Sequence, residues 1–188
     1  MSSAAVSDAQ LIARVLVQDD RHAFGELVRR HQSAVRACLR KLTGGNHALA
    51  DDLAQETFLL AYRNLKSFRQ EAKFSTWLYR IAYNAFLADL RKTKELPLPD
   101  DEDADDVAAS ADTVAPVART AALSVDLQRA MAVLSDAERA AIVQCYHNDL
   151  SHEEAAFVLG CPVGTVKTHI LRAKQKLKAR LGAWAPEG

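Results

Sequence analysis

The sequence predicts an all-α protein: two small helical domains joined by a flexible acidic linker, the second containing a helix-turn-helix. Apolar residues recur at intervals of three and four, and no stretch alternates as a β-strand would. The net charge is zero but unevenly spread. Residues 1–94 hold 15 Lys and Arg against 9 Asp and Glu, residues 95–118 hold none against 8, and residues 119–188 hold 9 against 7. Two basic modules therefore flank an acidic segment.

Four helices are predicted in the first module. The first follows Ser7 and the second follows Asp20, both common helix caps, and the second ends at Gly44. The third extends from about His47 to Leu65, and the fourth from Ser75 or Thr76 to about Lys92. In the first three helices, the residues expected on inward faces are Leu11, Ile12, Val15, Leu16, Phe24, Leu27, Val28, Val35, Cys38, Leu39, Leu42, Leu49, Leu53, Ala61 and Leu65.

Residues 95–118 are predicted to form a flexible linker. The segment contains eight carboxylates, no basic residue and no aromatic residue, and it is interrupted by Pro97, Pro99 and Pro116. Such a segment cannot bury enough apolar surface to fold, and like charges favour an extended chain.

The pattern of a helix-turn-helix spans Leu150–Leu181. Ser151 and Glu154 form a capping box at the start of a short helix, Gly160 ends that helix, and Pro162 suits the first turn of the next. The apolar face of the second helix is formed by Val166, Ile170, Ala173, Leu177 and Leu181, and its opposite face by Thr168, Leu171, Arg172 and Gln175 between Lys167 and Lys178. A basic helix with this outward face favours the major groove of duplex DNA.

Aromatic and basic residues alternate around the fourth helix, in the segment Ser67–Arg91. The aromatic members are Phe68, Phe74, Trp77, Tyr79 and Tyr83, and the basic ones are Arg69, Lys73, Arg80 and Arg91. This mixture is typical of single-stranded nucleic acid binding, in which bases stack on rings or guanidinium groups and cations follow phosphates. Arg80, Asn84, Leu87 and Arg91, here called the basic stripe, share one helix face with Trp77 at its edge, whereas Leu78, Ala82, Phe86 and Leu90 lie opposite. Two alternatives remain: aromatic residues that simply fill a core, and a merely solvated face at Arg80 and Asn84.

The third helix carries an acidic, amide-bearing surface of Asp51, Asp52, Gln55 and Glu56 with Phe58 beside it. Such a surface suits a basic protein partner better than DNA. For Asp51 and Asp52 an ordinary role at the positive end of the helix dipole is the alternative.

Other classes of protein fit the sequence poorly. No run reaches the roughly 20 apolar residues of a membrane span, and residues 1–10 lack a signal-peptide pattern, so we expect a cytoplasmic protein without direct membrane insertion. Three cysteines do not suggest a disulfide framework. Zinc is disfavoured by the spacing of Cys145, His147, His152 and Cys161, and no catalytic constellation is visible; we predict no metal, no cofactor and no enzymatic activity.

Three of these motifs together resemble the extracytoplasmic-function (ECF, group IV) sigma factors of the sigma-70 family. Ser67–Arg69 followed by Phe74–Asn84 is similar to the promoter-melting segment of that family. Asp51–Phe58 is similar to its polymerase-docking helix, and Cys161–Lys167 to its reader of the upstream promoter element. The resemblance implies a dissociable RNA polymerase subunit that selects and opens promoters, with a region 2-like domain at 1–94, a linker at 95–118 and a region 4-like domain at 119–188.

The resemblance also implies roles for individual residues. Contacts to the separated minus-ten strand are assigned to Phe68, Arg69, Lys73, Trp77, Arg80, Asn84 and Arg91; contacts to the minus-thirty-five duplex to Thr165, Lys167, Thr168, His169, Leu171, Arg172 and Gln175; and docking on core polymerase to Asp51, Asp52, Gln55, Glu56 and Phe58. The implied partners are the β and β′ subunits of core polymerase, promoter DNA, and an anti-sigma factor that is membrane-linked in some family members. A helix-turn-helix regulator that is not a polymerase subunit is the alternative function.

Overall fold

The computed structural model describes residues 6–95 and 129–182, and every long element in them is helical. The α-helices are α1 (Asp8–Gln18), α2 (Arg21–Leu42), α3 (His47–Asn64), α4 (Phe74–Glu95), α5 (Asp136–Ile142), α6 (His152–Leu159) and α7 (Val163–Gly182). A 3₁₀ turn, Leu65–Ser67, follows α3, and a π-helical turn, Val143–His147, continues α5. The all-α prediction is confirmed. Apart from Glu95, the predicted linker lies outside the described residues.

Local capping sets the helix starts where the sequence predicts them. The Ser7 hydroxyl accepts from the Gln10 amide while the Gln10 side chain accepts from the Ser7 amide, and the Asp20 carboxylate accepts from the Ala23 amide. The fourth helix is longer than expected: α4 starts at Phe74 and continues to Glu95 instead of ending near Lys92. No glycine or proline interrupts residues 92–95, so nothing in the local sequence ends the helix near Lys92.

The amino-terminal domain buries its core where α2 packs against α1, α3 and α4. Leu27, Val35, Leu39 and Leu78 are almost wholly buried in this core. Leu16 is a wrong prediction: its side chain is 41% exposed, because Leu11, Ile12 and Val15 already form the face of α1 that contacts the bundle.

The carboxyl-terminal domain is a three-helix unit formed by α5, α6 and α7. Val166 and Ile170 of α7 pack against Ala141 of α5 and against Ala155 and Ala156 of α6. The predicted capping box at Ser151 and the left-handed Gly160 (φ 65°) fix the two ends of α6. The predicted helix-turn-helix is thus present. The side chain of Leu181 lies outside the described part.

The two domains contact each other, mainly where α6 packs along α4. Val158 of α6 and Val143 belong to the same buried apolar cluster as the core of the amino-terminal domain. The buried Cys38 thiol of α2 accepts from Asn148 Nδ2 at 3.2 Å and from Gln144 Nε2 at 3.7 Å. These contacts join residues more than 100 positions apart, and the sequence patterns did not predict them.

Candidate nucleic-acid and protein interfaces

The basic stripe lies along the more accessible side of α4, although Arg80 and Leu87 are half-buried and Leu87 packs against the apolar core. Asn84 and Arg91 are exposed, whereas Leu78, Ala82 and Phe86 on the opposite side are buried. Arg91 Nε donates to the carbonyl of Leu87 at 3.3 Å, which holds this guanidinium along the helix. The helical period therefore separates a packing face from an accessible face, as the sequence predicts.

Three aromatic rings form a cluster at the start of α4. Ring centroids lie 5.5 Å apart for Phe68 and Phe74, 5.3 Å for Phe68 and Trp77, and 5.7 Å for Phe74 and Trp77. Phe74 is buried and supports the other two rings, which are half-buried. Arg69 and Lys73 are exposed beside them. The cluster thus presents aromatic surface bordered by cations, the combination that favours unstacked bases.

A small cavity of about 200 Å³ opens beside this cluster. Its walls are the segment 67–72, Trp77 and Arg80 of the amino-terminal domain, and Phe157 of α6. Gln70 has a left-handed backbone (φ 58°), which turns the segment around the cavity. The cavity brings four of the predicted strand-contacting residues, Phe68, Arg69, Trp77 and Arg80, to one place.

Besides Phe74, two aromatic residues of the predicted strand-binding segment belong to the core instead. Tyr79 is 8% exposed and Tyr83 is 7% exposed, and burial raises the pKa of both phenols. They lie on the side of α4 that packs against other helices. The interleaved aromatic and basic residues therefore predicted a larger nucleic-acid-binding surface than the fold leaves exposed. The core alternative is correct for these two and for Phe74 and Phe86.

The outward face of α7 carries the predicted duplex-contacting residues. Lys167, Thr168, Leu171, Arg172 and Gln175 are exposed, and Leu171 is 58% exposed although it is apolar. Thr165 and His169 are half-buried at the edges of this face. The apolar residues Val166, Ile170 and Ala173 are buried beneath it, so packing fixes which side of α7 is presented.

An ion pair between an exposed lysine and a buried glutamate holds α7 against α5. Lys176 Nζ donates to Glu138 Oε2 at 2.7 Å, and the same carboxylate accepts from the Ser135 amide. The Lys176 ammonium is the main reason that the pKa of Glu138 lies below its ordinary value. Because Glu138 is only 4% exposed, this pair helps to fix the position of α7.

An apolar groove of about 570 Å³ lies between α2 and α3, here called the α2–α3 groove. It is lined by Arg21, Phe24, Val28, Gln32, Arg36, Ala54, Gln55, Phe58, Leu59 and Tyr62. Of the predicted docking residues, Gln55 and Phe58 lie in this groove, and Glu56 and Asp52 are exposed. Asp51 instead faces α2, with Oδ1 3.5 Å from Arg36 Nε and 3.7 Å from Arg40 Nη2. Asp51 thus contacts arginines of its own domain, and the other four are available to a partner.

Leu59 and Phe157 are among the residues of these surfaces that were absent from the sequence predictions. Leu59 lies in the α2–α3 groove with 59% of its surface exposed. The sequence did contain a signal for this residue, because Leu59 is apolar but lies outside the positions of the third helix that were expected to face inward. Phe157 contacts the basic stripe from the other domain, with the Arg80 guanidinium carbon 4.5 Å from its ring centroid. No local pattern identifies that contact.

No group of three or more His, Cys, Asp or Glu side chains in residues 6–95 and 129–182 is arranged to hold a metal ion. Among the helices of the same ranges, none is long and apolar enough to cross a membrane.

Family models match both domains. Sigma-70 region 2 matches residues 27–96, and Sigma-70 region 4 matches residues 124–177. The first match contains α3, α4 and the aromatic cluster, and the second contains the helix-turn-helix.

Similar proteins cover nearly the whole chain. The chain is 39% identical over 179 residues to the ECF RNA polymerase sigma factor SigM of Mycobacterium tuberculosis, covering 94% of this chain and 85% of that protein. It is 37% identical over 171 residues to the ECF RNA polymerase sigma factor SigW of Bacillus subtilis, covering 86% and 90%.

Solved structures are similar as well. CnrH, solved in complex with the cytosolic domain of CnrY, superposes with a TM-score of 0.68 at 30% identity, covering 94% of this chain and 97% of CnrH. The sigma factor RpoE of Bartonella quintana, solved with the anti-sigma factor NepR, gives 0.67 at 26% identity, covering 85% and 96%. With both family regions present in order and relatives matched along almost their full length, this chain belongs to the ECF sigma factors of the sigma-70 family, which direct RNA polymerase to promoters.

Proposed function

We propose that this sigma factor divides promoter recognition between its domains, with separated strands bound by residues 1–94 and closed duplex by residues 119–188. The exposed Asn84 and Arg91 and the half-buried Arg80, together with the neighbouring aromatic cluster, carry this proposal. Duplex binding alone requires no stacking surface, whereas capture of extruded bases does. Residues 95–118 would connect the two domains.

On α4, Asn84 would contact the edge of an extruded minus-ten base. Phe68 and Trp77 would offer stacking surface, and Arg69, Lys73, Arg80 and Arg91 would hold the displaced strand. Extruding a base costs a few kcal/mol in lost stacking, and edge hydrogen bonds together with stacking offset that cost.

Permanganate footprinting of unpaired thymines in the holoenzyme–promoter complex tests the strand-binding assignment. Asn84→Ala should reduce thymine reactivity while leaving binding to the closed upstream duplex unchanged, because Asn84 is exposed and buries nothing. Gln18→Ala, which removes an exposed amide from α1, is the matched control. Full thymine reactivity in the Asn84 variant would contradict the role assigned to this residue.

On α7, we propose that the exposed face enters the major groove of the minus-thirty-five element. Arg172 and Gln175 suit base edges, Lys167 suits phosphate, and Leu171 suits the methyl group of thymine. Thr165, Thr168 and His169 would border this contact. The burial of Val166 and Ile170 supports the assignment because it leaves only this face of the helix accessible.

Docking on core polymerase is proposed for the α2–α3 groove and for the exposed carboxylates of α3. Gln55, Glu56, Asp52 and Phe58 would contact a basic and apolar surface of the β′ or β subunit. Asp51 would act indirectly, since it already faces Arg36 and Arg40. Polymerase would supply all covalent chemistry, and the sigma factor itself would be no enzyme.

A further proposed partner is an anti-sigma factor, and the proposed location is the cytoplasm, where polymerase acts. Support comes from the two similar structures, one containing the cytosolic domain of CnrY and the other the anti-sigma factor NepR. Run-off transcription distinguishes a sigma factor from the alternative, a helix-turn-helix regulator that is not a polymerase subunit. Core polymerase supplied with this chain should initiate at a defined promoter, and a regulator alone could not produce that transcript.

A further inference from the structure

Phe157 is the one aromatic residue of α6, and it lies against the basic stripe of the other domain. The Arg80 guanidinium carbon is 4.5 Å from the centre of its ring, and both residues line the 200 Å³ cavity beside Phe68 and Trp77. A planar ring from the helix-turn-helix domain thus sits on a guanidinium in the pocket that is proposed to receive bases.

The chemistry of this contact is that of a stacked base. Guanidinium groups stack on nucleobases in single-stranded complexes and on aromatic side chains in proteins, and both contacts use one face of a π system. The Arg80 guanidinium face covered by Phe157 is not simultaneously available to a base. We propose that Phe157 is an intramolecular mimic of an unstacked base, which occupies the Arg80 guanidinium of the basic stripe while the domains are closed; this rests on the strand-binding function proposed above.

The position of Phe157 is fixed by the two faces of α6. Ala155 and Ala156 pack within the helix-turn-helix domain, whereas Phe157 and Val158 pack against the cluster that contains the core of the amino-terminal domain. The capping box at one end and Gly160 at the other hold this eight-residue helix in register. The ring is therefore aimed at Arg80 by the fold of its own domain.

Polar contacts away from the cavity hold the same closed arrangement. Asn148 and Gln144 donate to the Cys38 thiol, and Arg139 Nη1 donates to the carbonyl of Leu42 at 3.3 Å, at the end of α2. Several separate contacts thus stabilise the closed state. Removing the Phe157 ring or the Asn148 amide should each destabilise it, because the two side chains contact different parts of the amino-terminal domain.

A promoter requires the opposite arrangement. Elements named minus ten and minus thirty-five are about 25 base pairs apart, or roughly 85 Å at about 34 Å per turn of ten base pairs. Because α4 and α6 are in contact here, one molecule in this state cannot reach both elements. The apparent affinity of the free chain for single strands equals the affinity of the open form multiplied by the open fraction, so closure lowers it.

The test uses the full chain without polymerase and a fluorescein-labelled, single-stranded 15-nucleotide DNA rich in A and T, followed by fluorescence anisotropy. Phe157→Leu keeps an apolar side chain in the interface but removes the π face, and should tighten binding by about two- to thirty-fold, the range of a cation–π contact. Tyr146→Leu is the matched control, because it removes the ring 5.0 Å from Lys174 Nζ, a cation–π pair within the helix-turn-helix domain. This control should bind as the unmodified chain does.

Asn148→Ala is the second variant, since it loosens closure without touching Arg80 or Phe157. It should also tighten single-strand binding, and small-angle X-ray scattering should show a larger radius of gyration for both variants than for the Tyr146 control. Unchanged affinity in Phe157→Leu and Asn148→Ala would overturn the proposal.

Arg80→Ala distinguishes this failure from failure of the proposed function. Loss of thymine reactivity by Arg80→Ala in the holoenzyme, with no effect of Phe157→Leu on the free chain, would leave the strand-binding function intact and refute the mimic alone. Normal opening and normal oligonucleotide binding by Arg80→Ala would refute both.

Discussion

Leu59→Ala should weaken binding to core polymerase without destabilising the protein. Leu59 is 59% exposed in the α2–α3 groove, so truncation removes little packing from the folded chain. The substitution removes three carbon atoms, worth about 0.8 kcal/mol each when fully transferred from water. Scaling this by the 59% that a partner could still cover gives roughly 1.4 kcal/mol, or about a tenfold increase in Kd.

Biolayer interferometry with immobilised core polymerase measures this Kd, and thermal denaturation of the free chain measures stability. Val17→Ala is the matched control: Val17 is 81% exposed on α1 and does not line the groove. The control should leave both Kd and Tm unchanged. If Leu59→Ala bound core polymerase as tightly as the unmodified chain at an unchanged Tm, the groove would not be the docking surface.

Three further predictions concern the other surfaces and the cores. Arg172→Ala should weaken binding to a matched minus-thirty-five duplex by about 1–3 kcal/mol but leave core docking unchanged; an equal loss on a scrambled duplex would show that Arg172 reads no base. Because the folded-state pKa of Glu138 is lowered from 4.5, its contribution to stability is present above pH 4.5 and lost as pH falls through the folded value. Glu138→Gln should therefore lose less Tm than the unmodified chain as the pH is lowered below 4.5. An equal loss of Tm in both proteins would refute this. Burial raises the pKa of Cys38 to about 11, so at pH 8 a disulfide reagent should modify it only after denaturation, whereas the two half-buried cysteines react first; rapid labelling of Cys38 would contradict its burial.

Closure and strand binding involve the same surface of α4. If Phe157 leaves the Arg80 guanidinium only when the domains separate, any partner that separates the domains would also expose Arg80. Docking on polymerase and binding to the promoter would then be coupled to strand binding by α4. Coupling of this kind needs no extra domain, since it uses one aromatic side chain and the interface that positions it.

The sequence by itself determined the helices and the presented face of α7. Capping at Ser7, Asp20 and Ser151 involves atoms within three residues of one another, and the apolar spacing of α7 fixes which side is buried. These features depend on residues close together in the chain, so they can be predicted from the amino-acid sequence.

Only the tertiary structure decided which helix faces meet. Helical spacing shows that α4 has apolar and basic sides, but it cannot show that Tyr79 and Tyr83 lie in covered positions or that Leu16 stays exposed. It also cannot show that Phe157 covers Arg80, because that contact joins residues 77 positions apart in different domains. A helix specifies the face it must bury through its own period, whereas the identity of the covering surface depends on how all the elements pack together.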